Sequence, residues 1–171
     1  APFNYANGTP VKNWYSGYRG INSIRDAIRE SLNIIAVKTE TVITPQLGYD
    51  YLLNFGFTTL TDGVWITNSK GEEDFFTDVN QTLALGGLTN GVTPYELTAA
   101  YATIANMGNY IEPKLYTRVT NTDGDVLLDN TNPASKQVIK ETTAYLLTDA
   151  MVDVVTAAGG TGTACNFNRN M

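Results

Sequence analysis

No histidine occurs anywhere in the 171 residues, which removes a Ser-His-Asp triad, a Cys-His pair and every histidine-ligated metal site from the chemistry open to this chain. Any nucleophile it carries needs a different base. Cys165 is the one cysteine, so no intrachain disulfide can form, and without histidine to activate it the thiol reads as inert. Basic residues are few, 11 Lys and Arg against 17 Asp and Glu for a net charge of −6. They are scattered and offer a phosphate backbone no positive stripe, which argues against nucleic acid as a partner. No run approaches the ~20 apolar residues of a membrane helix. The start, Ala1-Pro2-Phe3-Asn4, has neither the charged nor the apolar stretch of a signal peptide. An opening without Met and a close at Asn168-Arg169-Asn170-Met171 read as the ends of an excised segment.

What is present, 43% hydrophobic and 16% charged residues, suffices for one substantial core and hence one domain or subdomain. Residues 1–20, rich in Asn, Gly, Tyr and Pro without a period, predict an irregular approach segment. Ser23 with Asp26 three positions on forms a capping signal, and Ile24, Ala27, Ile28 and Ser31 then share one helical face. A second short helix runs from Ile34 to Thr41, leaving Leu32 and Asn33 at the joint. Thr44-Pro45 starts a third, with Leu47, Tyr51 and Phe55 as its buried stripe. Residues 57–80 alternate polar, aromatic and Gly residues, which favours turns and a small hairpin, and Gln81–Leu85 one apolar turn. Thr93-Pro94-Tyr95-Glu96 is a capping box for a helix whose stripe is Leu97, Ala100, Tyr101 and Ile104, stopped by Gly108. A hairpin turning at Asp123-Gly124 follows, and then a helix over Glu141–Thr156 with Ala144, Leu147, Met151 and Val154 or Val155 inward.

Several motifs can be set aside. Gly159-Gly160-Thr161-Gly162-Thr163 has no following lysine and no preceding strand, as a phosphate loop would. Asp123-Gly124-Asp125 lacks the later ligands and closing glutamate of a calcium loop. Ser31-Leu32-Asn33 remains. With five serines and 17 asparagines in the chain, one Ser-x-Asn is within chance, and its plain reading is a polar helix end in which Ser31 bonds back to a carbonyl and Asn33 caps the turn.

The neighbours change that reading. Tyr18-Arg19-Gly20, Ile24-Arg25-Asp26-Ala27-Ile28 and Ser31-Leu32-Asn33-Ile34-Ile35-Ala36-Val37 together resemble the second-motif region of class A penicillin-binding proteins. Leu85-Gly86-Gly87, then Gly91-Val92-Thr93-Pro94-Tyr95-Glu96-Leu97, Ala100-Tyr101, Ala105-Asn106 and Gly108, resemble a further block of that family in the same order. Pro113 with Asp123-Gly124, and the last helix with Gly160-Thr161-Gly162-Thr163, extend the resemblance to the end. The family builds its site from Ser-x-x-Lys, Ser-x-Asn and Lys-Thr-Gly or Lys-Ser-Gly. Only the second is here: none of the five serines has lysine three residues on, and none of the six lysines opens the third motif. The expectation is therefore a truncated transpeptidase domain lying between those two motifs.

The resemblance implies a mainly α fold with a small β-hairpin, one helical wall of a larger α/β transpeptidase of the serine β-lactamase kind. It divides into the approach segment 1–20, a mainly helical region 21–108 with the motif, a hairpin region 109–131, and 132–171 leading to the third motif. The hydroxyl of Ser31 would relay protons between the missing lysine and the leaving nitrogen. The amide of Asn33 would orient lysine and substrate together. Trp14, with Asn13 and Tyr18, is a candidate for the cleft rim. Implied partners are peptidoglycan stem peptides, β-lactams and the rest of the parent protein, whose N-terminal anchor would hold it at the outer face of a bacterial cell membrane. No cofactor or metal is implied. Two rivals stand beside it: a non-catalytic wall-binding module stacking its 10 Tyr, 6 Phe and 2 Trp on sugars, and a serine hydrolase of unrelated fold, for which the six lysines offer no spacing that nominates a base.

Overall fold

The computed structural model describes residues 2–166; the end of the expected lead into the third motif, 167–171, lies outside them. Five helices dominate: α1 Ile24–Arg29, α2 Asn33–Ile43, α3 Pro45–Asn54, α4 Pro94–Ala105 and α5 Glu141–Thr156. Local signals start three of them. Ser23 and Thr93 each close a full capping box with Asp26 and Glu96, and Thr44 caps α3 through Leu47 N with proline at the first position.

The strands form three separate antiparallel pairs. β1 Val64–Thr67 pairs with β2 Glu73–Phe76, β4 Arg118–Thr120 with β5 Val126–Asp129, and β3 Asn109–Ile111 with β6 Ser135–Gln137. The first confirms a hairpin within 57–80 and the second the turn at Asp123-Gly124. The third went unread, because three-residue strands have no period to show. It means that strand β3, inside the expected 109–131 hairpin, pairs beyond it. A 3₁₀ turn spans Gln81–Leu85, as the short apolar run suggested.

Approach segment and helices meet in a core of Val11, Ile34 and Val37, with Phe3, Tyr5 and Ala84 packed on it. The irregular segment is thus fastened across α2 rather than trailing from it, and Asn4 and Pro10 form a bridge within it. Asp78, 1% exposed, accepts from Thr61 N (2.8 Å), Thr89 N (2.6 Å) and Thr89 Oγ1 (2.7 Å). That carboxylate ties the base of the β1–β2 ribbon to the loop after the 3₁₀ turn. A buried acceptor so fully paired costs little to bury and fixes both segments.

Two helix stripes are not where periodicity put them. On α4 the buried residues are Glu96, Ala99, Ala100 and Thr103, while Leu97 and Tyr101 are exposed. Glu96 goes inward because Thr58 N (2.8 Å) and Thr58 Oγ1 (2.7 Å) donate to it, and the small alanines let neighbours approach. On α3, Tyr49 is buried and Leu47 and Tyr51 are exposed; Gly48 faces the side chain of Glu40, where a Cβ would meet its carboxylate. On α5, Ala144 is buried as expected and Leu147, Met151, Val154 and Val155 are half-buried, while Ala150, outside the expected stripe, is buried as well.

Candidate functional site

The turn between α1 and α2 is built by backbone bonds. Leu32 N donates to Ala27 O (2.9 Å) and Ser31 N to Ile28 O (3.4 Å), the paired bonds of a Schellman ending. That ending requires a left-handed residue, usually glycine, one place past the cap. Here the residue is Ser31, with φ of 54°. α1 therefore stops at Arg29, and Ser31 is not the last residue of its buried stripe, as periodicity implied, but the exposed apex of the turn. Leu32, 2% exposed, is the apolar plug that follows.

Ser31 and Asn33 line one open concavity of about 370 Å³ with Ile28, Leu32, Ala36, Ala84 and Leu85. Ser31 is exposed and Asn33 half-buried. Among the described residues no hydrogen bond involves Ser31 Oγ, whereas Asn33 Nδ2 donates to Lys12 O at 3.0 Å. Among the described residues the Oδ1 of Asn33 likewise carries no hydrogen bond. No ionisable side chain is on that wall, so nothing in it can take a proton from Ser31 for keeps. Donor and acceptor capacity without a resident base suits a relay.

Three consecutive residues of the approach segment clasp the turn. Lys12 holds Asn33 as above; Asn13 Oδ1 accepts from Ile34 N (3.1 Å); Trp14 Nε1 donates to Glu30 O (2.8 Å). Trp14 is 63% exposed but does not line the concavity of Ser31 and Asn33. Asn13 and Tyr18 line a separate groove of about 550 Å³ with Arg19, Ile21 and Lys38. From the other end of the chain, Thr161 N donates to Arg29 O (3.1 Å), and Arg25 on α1 pairs with Asp149 and with Asp153 (2.7 Å) on α5. These carboxylates raise the guanidinium's pKa further. The clasp had one signal in the sequence: Asn13 is a good capping residue with no helix after it.

The family model for the penicillin-binding protein transpeptidase domain matches residues 1–169. Penicillin-binding protein 1A of Clostridium acetobutylicum is 32% identical over 95% of this chain and 18% of its own length. Penicillin-binding protein 1A/1B of Bacillus subtilis is 30% identical over 98% and 18%. The chain thus spans about a fifth of the relatives it matches. Among solved structures, apo penicillin-binding protein 3 of Mycobacterium tuberculosis superposes with a TM-score of 0.77 at 19% identity, over 98% of this chain and 39% of that one. The D,D-transpeptidase domain of a peptidoglycan glycosyltransferase from Eggerthella lenta gives 0.68 at 19%, over 98% and 44%. By its family match and its class A relatives, this chain belongs to the penicillin-binding protein transpeptidase family.

Proposed function

We propose that the chain supplies the Ser-x-Asn wall of a peptidoglycan D,D-transpeptidase whose serine and two lysines come from the rest of the parent. One observation carries this: Ser31 sits in a left-handed turn that glycine would fit better, with its hydroxyl uncommitted beside the Asn33 amide. Strain held at a site without a structural return points to function. In the parent, a serine oxygen attacks the carbonyl of the penultimate D-Ala of a stem peptide. The bond to the terminal D-Ala breaks, and the serine's proton travels through the lysine and Ser31 to the leaving amine. An amine of a second stem then attacks the ester and restores the serine. A β-lactam would acylate the same serine. Asn33, with one Nδ2 hydrogen given to Lys12 O, acts as an acceptor through Oδ1 toward the lysine or a substrate N–H. Trp14 serves as a brace of the turn rather than a rim. The helical elements form one wall of the larger α/β domain, and the parent's anchor places it at the outer face of the cell membrane; no described helix is long and apolar enough to cross one.

The test is acylation of the intact parent by a chromogenic β-lactam. Ser31→Ala is expected to slow it by roughly 10²–10⁴-fold, the span of a positioned proton-transfer group, with an unchanged melt. A parental rate in the folded variant would reduce Ser31 to a helix-end residue. The wall-binding alternative gains something from Trp65 and Phe75, exposed and 5.1 Å apart on the β1–β2 ribbon. It predicts sedimentation with peptidoglycan that Trp65→Ala abolishes and Ser31→Ala leaves intact.

A further inference from the structure

We infer that Asn13 is a positioning residue for the Ser31-Leu32-Asn33 turn, capping α2 from outside the helix and so fixing where Ser31 and Asn33 point. The inference rests on the functional reading above. α2 begins behind Leu32, which has no side-chain oxygen to cap it, whereas α1, α3 and α4 are each capped by their own Ser or Thr. The missing acceptor arrives from 21 residues upstream, as Asn13 Oδ1 on Ile34 N. The other half of the same amide donates to the Tyr15 hydroxyl at 2.9 Å. Tyr15 lies beneath Arg19, whose guanidinium carbon is 3.8 Å from the ring centroid, and Arg19 pairs with Glu30 at 2.9 Å. Asn13 is therefore held at both ends of its amide, and the chain of contacts returns to the residue immediately before Ser31.

A local cap would fix only where α2 starts. A cap borne on the approach segment also fixes α2 relative to that segment, which grips Glu30 through Trp14 and Asn33 through Lys12. Ser31 stands between these grips in a backbone conformation it does not favour, so releasing Asn13 lets the turn relax away from the reactive geometry. Displacements of about 1 Å at such a site cost on the order of 10²-fold in rate.

Stopped-flow acylation of the intact parent separates the bimolecular dissociation constant of the β-lactam from the rate constant at saturation. Asn13→Ala is expected to lower the saturating rate constant by about 10–100-fold, leaving the dissociation constant within about 3-fold and the fraction of titratable sites near one. Asn13→Asp, which keeps an acceptor for Ile34 N, should restore the rate to within about 3-fold of the parent. A parental rate per titratable site in Asn13→Ala overturns the inference. So does a loss confined to the titratable fraction, which is what stability alone would produce, or an Asn13→Asp as slow as the alanine. Should Asn13→Ala not fold, Tyr15→Phe decides: it removes the hydroxyl that holds the amide while keeping the ring under Arg19, and an unchanged saturating rate overturns the inference. Ser31→Ala in parallel separates the two levels. If it is slowed and Asn13→Ala is not, only the positioning role fails; if Ser31→Ala is parental, the functional reading fails and the positioning role with it.

Discussion

At Ser31 stability and chemistry ask for different residues. The Schellman turn wants glycine, since a left-handed conformation costs an L-residue roughly 1–2 kcal/mol, while the proposed proton relay wants a hydroxyl. Ser31→Gly is therefore expected to raise stability by about 0.5–1 kcal/mol in denaturant titration, and to acylate as poorly as Ser31→Ala. A Ser31→Gly variant less stable than the parent would mean that the φ of 54° is not strained. The tripeptide itself was visible in the sequence; the turn was not. Periodicity carried α1 on through Ser31, because Ile24, Ala27, Ile28 and Ser31 keep helical spacing whether or not the helix has ended. The end is fixed by the backbone bond from Leu32 N to Ala27 O, both residues buried, and that is a contact between residues, not a pattern along them. The grip of residues 12–14 left only the capping character of Asn13 in the sequence, for the same reason.

Among the elements, two inward glutamates titrate in opposite directions. Glu96, at the start of α4, is held down to about 2 by hydrogen bonds from Thr58 and then Thr93, despite its burial. Its contribution is fully present above the ordinary glutamate range near 4.5 and is lost as pH falls from there toward 2. Glu40, 8% exposed on α2 with Oε1 unpaired, is pushed up by desolvation. Its contribution is present below the ordinary range and is lost as pH rises through the folded value. Thermal melts of Glu96→Gln against the parent should show a deficit that shrinks below pH 4.5, whereas Glu40→Gln should gain relative to the parent as pH rises toward neutrality. The capping box that names Glu96 is plain in Thr93-Pro94-Tyr95-Glu96, but its second partner, Thr58, lies 38 residues upstream. Hence the start of α4 was readable and its buried face was not. Gly108 makes a similar point at the helix's end. Its φ is +83°, and a Cβ there would sit 2.1 Å from Ile139 O, whereas Gly71 at +81° has open space. Gly108→Ala should cost at least about 2 kcal/mol more than Gly71→Ala in the same titration, since only the first also pushes backbone aside.

For the whole molecule, the family was legible in blocks that carry Gly, Pro and capping residues, whose backbone demands can be read from residue type alone. The β3–β6 pair and the approach segment's attachment were not, being joined by contacts between short or irregular pieces. Large apolar side chains stand exposed across the chain, Ile21, Val42, Tyr101 and Leu146 among them, and burying such surface is worth about 25 cal/mol per Å². A wall of a larger domain would present such faces to the remainder of that domain. The proposed catalytic division of labour follows the same line. Ser31 is exposed in a concavity without an ionisable neighbour, and an unactivated serine is a poor nucleophile at neutral pH. The other four serines, Ser16, Ser23, Ser69 and Ser135, also lack a lysine three residues on. Incubated alone with a labelled β-lactam, this chain is expected to form no stoichiometric adduct by mass spectrometry, while the intact parent gains the mass of one acyl group under the same conditions. An adduct on any of the five serines of the isolated chain would show that a base for it lies within these residues, and would return the independent serine hydrolase to first place.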